Sequence, residues 1–324
     1  MSQAKNSNVR KLPGSSDLWF EVLLENTVKP LNPWIQSSGF QFNFSRHRAT
    51  MLNHAPRLGE NFLLNTRLNR QDRESAASVG RYFGDSSLCM VSMNGLESPD
   101  ALGEVALPIG TEPSMRLSQC LRRRRSRRTF TGDPMELKSL ATILRAGSGI
   151  TGHGTVPLSS DPSSTVDISF RSAPSPGGLY GIDVYVVTQH VAGIECGLYL
   201  YLPRDDKLFL LRRDRDDQVL RRMKDSCTYP DQLIAHSRAC IMLFLVGRPW
   251  KVMRKYGDRG IRYMFIEVGE ITENIHLAAT ALGFGSVESA SFYDGEINDV
   301  LGVDGATATV LHMVLVGHSA DPSR

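Results

Sequence analysis

Arg122, Arg123, Arg124, Arg125, Arg127 and Arg128 set six guanidinium groups in seven positions, with Ser126 among them. Standing alone, such a run reads as a solvated face, a nucleic-acid or membrane patch, or a nuclear address. On a structured turn, two or three guanidiniums and a hydroxyl can instead enclose one phosphate through forked, charge-assisted hydrogen bonds. The neighbouring residues are periodic. Ser114 can cap a helix carrying Leu117, Cys120 and Leu121 on one face. After the run, Asp133, Pro134 and Glu136 have the spacing of an N-cap, a first helical residue and a capping-box acid. Leu137, Leu140, Ala141 and Leu144 then recur at helical spacing, and Gly147 is the expected stop. A flexible arm for nucleic acid has no need of this order, so the phosphate reading gains weight.

Three further stretches have residue types suited to chemistry. Pro174, Ser175, Pro176, Gly177 and Gly178 run into an apolar segment. This is either an ordinary loop-to-strand turn or a place where glycines let backbone amides approach a flat ligand. Lys255 and Tyr256 precede a long helical pattern, with Arg259, Arg262 and Glu267 nearby. They suit an interface rich in Tyr, Trp and Arg, or a base and its partner, since desolvation or a second cation lets a lysine give up its proton near neutral pH. Gly283 and Gly285 flank Phe284 at a helix-to-strand switch, as a helix stop or as a loop over a cofactor.

The elements that must position these residues follow from periodicity. Residues 1–17 read as a disordered start, 18–25 as a helix or strand, and 40–45 alternate at the strand period. Residues 94–114 are rich in Gly, Pro and acid and read as a linker. A loop is expected over Ser148–Ser172. Strands are expected at Ile182–Gln189, Gly197–Pro203, Lys207–Leu211, Ala239–Gly247 and Thr307–Gly317, the fourth continuously apolar as if buried on both faces. Arg262–Phe284 has Phe265, Val268, Ile271, Ile275, Ala278 and Leu282 at helical spacing and few surface-type residues, as in a central or interface helix. The order predicts an α+β fold with helices against a sheet.

The totals narrow the function classes. The chain has 324 residues, is 41% hydrophobic and has a formal net charge of +3. That supports a sizeable core and argues against a surface devoted to nucleic acid. Five cysteines without a CxxC pair, and a polar start without an apolar signal core, indicate a reducing cytoplasm. The scattered histidines lack metal-ligand spacing, and the GxGxxG and GxxxxGK[ST] nucleotide motifs are absent.

Taken in order, "RRSRRTF", "PSPGGLYGIDVYVV" and "EVGEITENIHLAATALGFGS…VLG…LVG" resemble the nitroreductase superfamily. "KYGDRGIRY" and "GLYLYLPRDDKLFLL" resemble its SagB-type dehydrogenase branch. The resemblance covers about Leu107–Gly317, which suggests an FMN-binding domain over 107–320 and a divergent segment over 1–106. It implies an α+β, nitroreductase-like fold with an antiparallel-rich sheet packed with helices, in a homodimer with FMN at the subunit interface. Arg124, Ser126 and Arg128, with Arg125 as a further candidate, would hold the phosphate. Pro174, Ser175, Gly177 and Gly178 would lie by the isoalloxazine ring, and Gly283 and Gly285 would cover the cofactor.

The branch oxidises thiazolines and oxazolines of a precursor peptide to thiazoles and oxazoles, which makes Lys255 and Tyr256 the expected catalytic pair, without a choice between them. Molecular oxygen would reoxidise the flavin. The N-terminal segment would bind a leader peptide, dock a cyclodehydratase or complete the dimer. "SVESASFYD" departs from the glycine-rich pattern of the family near Phe292. The alternatives are an NAD(P)H-dependent nitro or quinone reductase, another flavin oxidase of the same fold, a flavin-free scaffold, and a nucleic-acid binder using Arg122–Arg128.

Overall fold

The computed structural model describes residues 58–68, 73–84, 99–157, 165–214 and 218–320. The patterns at 1–17, 18–25 and 40–45 lie outside them. The chain divides into two units between Asn65 and Thr66. In the first, the described element is helix α1 (Leu58–Asn65). The second contains, in chain order, α2 (Arg73–Gly84), β1 (Gly103–Ala106), α3 (Leu117–Arg123), β2 (Met135–Glu136), α4 (Leu137–Ser148), β3 (Ile150–Pro157), β4 (Thr165–Arg171) and β5 (Ile182–Thr188). It continues with β6 (Val191–Ala192), β7 (Gly197–Leu202), β8 (Lys207–Arg213), α5 (Gln218–Asp225), β9 (Ile241–Gly247) and α6 (Pro249–Tyr256). The last elements are α7 (Gly260–Ala281), β10 (Gly285–Ser289), α8 (Asp294–Leu301) and β11 (Thr309–Gly317).

Seven strands form one antiparallel sheet in the order β1-β8-β7-β5-β9-β11-β10. Because side chains alternate along a strand, the central strands feed two cores. Val184 and Val186 of β5, with Ile241, Leu243 and Leu245 of β9, pack on one face with Leu140 and Leu144 of α4 and Ile271 and Ile275 of α7. Tyr185, Val187, Met242, Phe244 and Val246 pack on the other, with Met223 of α5 and Ile297 and Val300 of α8. All seven β9 residues are buried, which is why its sequence is continuously apolar. The result is the expected α+β architecture, an antiparallel sheet held between helices.

Several local expectations are corrected. Gly103–Ala106, read as part of a linker, is the edge strand β1, paired with Lys207–Leu210. The loop expected over Ser148–Ser172 contains the antiparallel hairpin β3–β4, whose alternation is masked by Gly152 and Gly154. The helix attributed to a Ser114 cap begins at Leu117 after Arg116, whose amide donates to Gln119 Oε1 at 3.2 Å. Leu117 and Leu121 are exposed on it, and only Cys120 is buried. Asp133 and Pro134 lie ahead of α4, because Met135 and Glu136 pair in parallel with β6 before the helix begins at Leu137. Of the residues at helical spacing on α7, Phe265 is 53% exposed, while Val268, Ile271, Ile275 and Ala278 are buried. Phe292, where the family pattern was broken, is buried edge-on to Phe244 at 6.5 Å, filling the second core.

Gly147 does not end α4, since the helix closes one residue later with Gly149 as its cap. Its role is close approach. A Cβ built on Gly147 would meet Ile275 Cγ1 at 2.9 Å and Ile271 Cγ2 at 3.6 Å. This is where α4 lies against α7, the helix on which both halves of the site described below are mounted. Gly147→Val should therefore overpack the contact and destabilise the fold by about 1–3 kcal/mol, read as a lowered denaturation midpoint.

Candidate functional site

The Ser175–Tyr180 loop is held in an unusual backbone path. Gly177 and Gly178 have φ of +68° and +66°, and Tyr180, which is not a glycine, has φ of +47°. Such a residue persists only where its surroundings hold it. The Tyr180 amide donates to Ser175 Oγ at 2.9 Å, and its carbonyl accepts from Lys251 Nζ at 3.3 Å. Its hydroxyl accepts from the Arg171 amide at 3.1 Å, and the Arg171 guanidinium lies 4.5 Å over its ring. Ser175 Oγ in turn donates to Glu267 Oε2 at 2.6 Å.

Helix α6 brings Lys255 and Tyr256 against this loop. A Cβ on Gly177 would sit 2.5 Å from the Tyr256 hydroxyl and 2.6 Å from Lys255 Nζ, so only glycine leaves room for both. Two stretches separated by more than 75 residues in sequence thus form one cluster. Lys255 is buried, its ammonium 4.7 Å over the ring of Tyr82 from α2 and 5.4 Å over that of Tyr256. Tyr256 packs edge-on against Tyr263 at 5.0 Å. Burial, with a smaller contribution from Tyr263, pushes the Tyr256 hydroxyl above its ordinary value. Pro174 is exposed at the mouth of the loop.

The arginine stretch meets the other end of α7. Past α3 the chain runs extended across the ends of β10 and β11. Ser126 bridges Ser286 in parallel, and the Arg127 amide donates to Ser286 O at 2.9 Å. Thr131 N donates to His318 O at 2.9 Å, and Ala320 N to Thr129 O at 3.0 Å. Gly285 is needed for this crossing, since a Cβ there would meet Arg127 Cβ and Ser319 Cβ, each at 2.9 Å. Gly283, with φ of +84°, stops α7, its amide donating to Thr280 O. Arg124 is half-buried, and Ser126 and Arg128 are exposed. Among the described residues neither Arg124 nor Arg128 has a carboxylate partner, whereas Arg125 turns back, donating to the carbonyls of Arg122 and Arg124.

The four sequence stretches therefore come together in pairs: Ser175–Gly178 with Lys255 and Tyr256, and Arg124–Arg128 with Gly285. Sequence reasoning missed several groups at both pairs. His276 is buried, with Nδ1 2.7 Å from Ser286 Oγ, and desolvation, against the opposing pull of Glu288, lowers it to about 4. Tyr82 comes from a segment that carried no motif. Lys251 was legible in principle, lying one turn before Lys255 on the same helix face.

Comparison with known proteins now gives this arrangement a class. The nitroreductase family model matches residues 121–318, more than half of the chain. A protein of Methanocaldococcus jannaschii provisionally named a nitroreductase is 33% identical over 198 residues, which are 61% of this chain and 89% of that one. The chain belongs to the nitroreductase family and is an oxidoreductase of that family. A solved structure from Anabaena variabilis, provisionally named a nitroreductase, is similar over 68% of this chain at 20% identity with a TM-score of 0.53; this chain spans 42% of its length. A chain of the E. coli microcin synthetase McbBCD complex, solved with truncated pro-MccB17 bound, is 21% identical with a TM-score of 0.49, over 83% of this chain and 99% of that one. No helix among the described residues is long and apolar enough to cross a membrane.

Two predictions follow from the loop. Gly177→Ala places a methyl group on both Lys255 and Tyr256 in a backbone region disfavoured for alanine, and should cost about 1–3 kcal/mol, seen as a lower thermal midpoint. Glu267 is 1% exposed, and desolvation, partly offset by the Ser175 hydrogen bond, raises its carboxyl from 4.5 to about 6. A carboxyl that binds its proton more tightly when folded makes the fold lose stability as pH rises from about 4.5 to about 6, by about 2 kcal/mol. Glu267→Gln should flatten that slope in denaturation curves taken across this window.

Proposed function

We propose that this nitroreductase-family oxidoreductase is an FMN-dependent dehydrogenase that converts thiazolines or oxazolines of a precursor peptide into thiazoles or oxazoles. The observation that carries the reading is the seating of Lys255 Nζ and the Tyr256 hydroxyl directly on the Gly177 backbone. The pair suited to proton transfer stands at the loop suited to a flat ring.

The residues present fit the cofactor. Half-buried Arg124 and exposed Ser126 and Arg128, with no carboxylate partner for either arginine among the described residues, offer a phosphate two cations and a hydroxyl. Arg125, spent on backbone carbonyls, contributes less. Gly177 and Gly178 leave the loop without side chains where a ring would approach, and Gly285 seats the phosphate segment against β10. Exposed Phe265 and Ile266 on α7, with Leu117 and Leu121 on α3, offer an apolar surface to a second copy and support the homodimer.

Azoline aromatisation removes two electrons and two protons from the ring. FMN, when bound, supplies the two-electron acceptor. The chain's own task is to take the acidic Cα proton and hold the ring in place. Lys255 and Tyr256, the latter with its hydroxyl pushed up by burial, are the two side chains placed to take that proton. Tyr82 closes the far side of Lys255 and keeps water from it.

The test begins with the visible spectrum of the purified protein and the mass of its heat-released chromophore, where FMN near one per chain is expected. Lys255→Met and Tyr256→Phe should each lower azoline turnover by about 10²–10⁴-fold while the yellow colour stays. Consumption of NAD(P)H with a nitroarene at a rate these substitutions leave unchanged would instead establish a nitroreductase.

A further inference from the structure

A second cationic site lies behind the Ser175–Tyr180 loop. The structure contains a cavity of about 190 Å³ bounded by Arg171, Asp183, Tyr185, Leu200, Arg248 and Lys251 among others. None of Ser175, Gly177, Gly178, Lys255 or Tyr256 lines it, so it is separate from the site assigned to the flavin. Its volume exceeds what a lone water needs several times over.

The charges around this cavity are not balanced by its walls. Lys251 is 3% exposed, yet among the described residues its ammonium makes one hydrogen bond, to Tyr180 O at 3.3 Å. An ammonium has three donors. Half-buried Arg171, its guanidinium over the Tyr180 ring, makes one side-chain hydrogen bond, to Ser148 Oγ at 3.2 Å, and its other N–H donors have no hydrogen-bond partner among the described residues. Asp183, the one carboxylate in the lining, already accepts from Arg248 Nε at 2.6 Å. Glu267, the next nearest acid, is engaged by Ser175. Burial lowers Lys251 below its ordinary value, with Asp183 pulling the other way. Apart from Ser148 and Arg204, which pairs with Asp205, the remaining walls are apolar or aromatic, including Tyr185, Leu200, Tyr201 and Leu211. Inorganic anions gain nothing from such walls, while an acid with a hydrophobic body does.

We propose that this cavity is a binding site for an organic carboxylate, with its head group held between Arg171 and Lys251 and its apolar body along Tyr185 and Leu200. The carboxylate belongs either to a free small acid or to a peptide carboxyl group. The residues that line it do not overlap those assigned to the flavin, although Arg171 and Lys251 also hold Tyr180 of the loop which that reading uses.

Isothermal titration of the full-length protein, as purified, tests this with 3-phenylpropionate, 3-phenylpropionamide and inorganic phosphate. The acid is expected to bind, the amide at least tenfold more weakly, and phosphate more weakly than the acid. Lys251→Met and Arg171→Gln, checked for an unchanged thermal midpoint, should each weaken the acid at least tenfold; if one fails to fold, the other decides. The dipeptide Gly-Phe separates the sources: binding tighter than 3-phenylpropionate, lost on C-terminal amidation, assigns a peptide carboxyl, and weaker binding assigns a free acid. Equal binding of acid and amide, no binding at millimolar acid, phosphate binding tighter than the acid, or survival of binding in both variants would each overturn the proposal.

Discussion

Three ionisable groups, Lys251, Lys255 and Glu267, are removed from water against one six-residue loop, and the organisation of the site follows from how their charge is met. Burying a charge is costly, and each of these groups draws on the polar or aromatic contacts its surroundings offer. Glu267 takes the Ser175 hydroxyl, Lys251 takes the Tyr180 carbonyl, and Lys255 lies over the faces of Tyr82 and Tyr256. The contacts of Ser175, Lys251 and Arg171 with Tyr180 hold it at φ of +47°, and the loop keeps a path that its sequence would not choose unaided. Rigidity at the loop is thus a consequence of electrostatics behind it.

The frame that allows this is the two-sided sheet. With β5 and β9 buried on both faces, the strand ends that launch the loop and α6 are fixed by packing. Helix α7 then acts as a common mount. Glu267 near one end fixes the ring loop, and His276, nine residues on and so about 13 Å along the axis, meets Ser286 and the arginine segment. Gly147 lets α4 come close enough to hold that helix in place.

The arginine run illustrates how context divides a motif. Six arginines within seven positions end in different environments. Arg125 is spent on carbonyls, Arg127 is pinned beside Gly285, and Arg124 is half-buried near His276, whose charged form it disfavours. Only position along the extended crossing distinguishes them, and composition alone cannot supply that.

Periodicity by itself determined the principal strands and the long helix, because alternation and 3.6-residue spacing are imposed by burial on each element separately. Residue type and family resemblance, not periodicity, singled out Lys255, Tyr256, Gly177 and Ser126. What lay beyond it was pairing. Strand β1 looked like a linker because an edge strand exposed on most of its length carries no alternation, and β3–β4 looked like a loop because its glycines erase the pattern. The meeting of Gly177 with Lys255, of Ser126 with Ser286, and of Tyr82 with Lys255 depends on contacts between residues far apart in the chain. Such contacts are settled by how layers pack, so only the tertiary structure decided them.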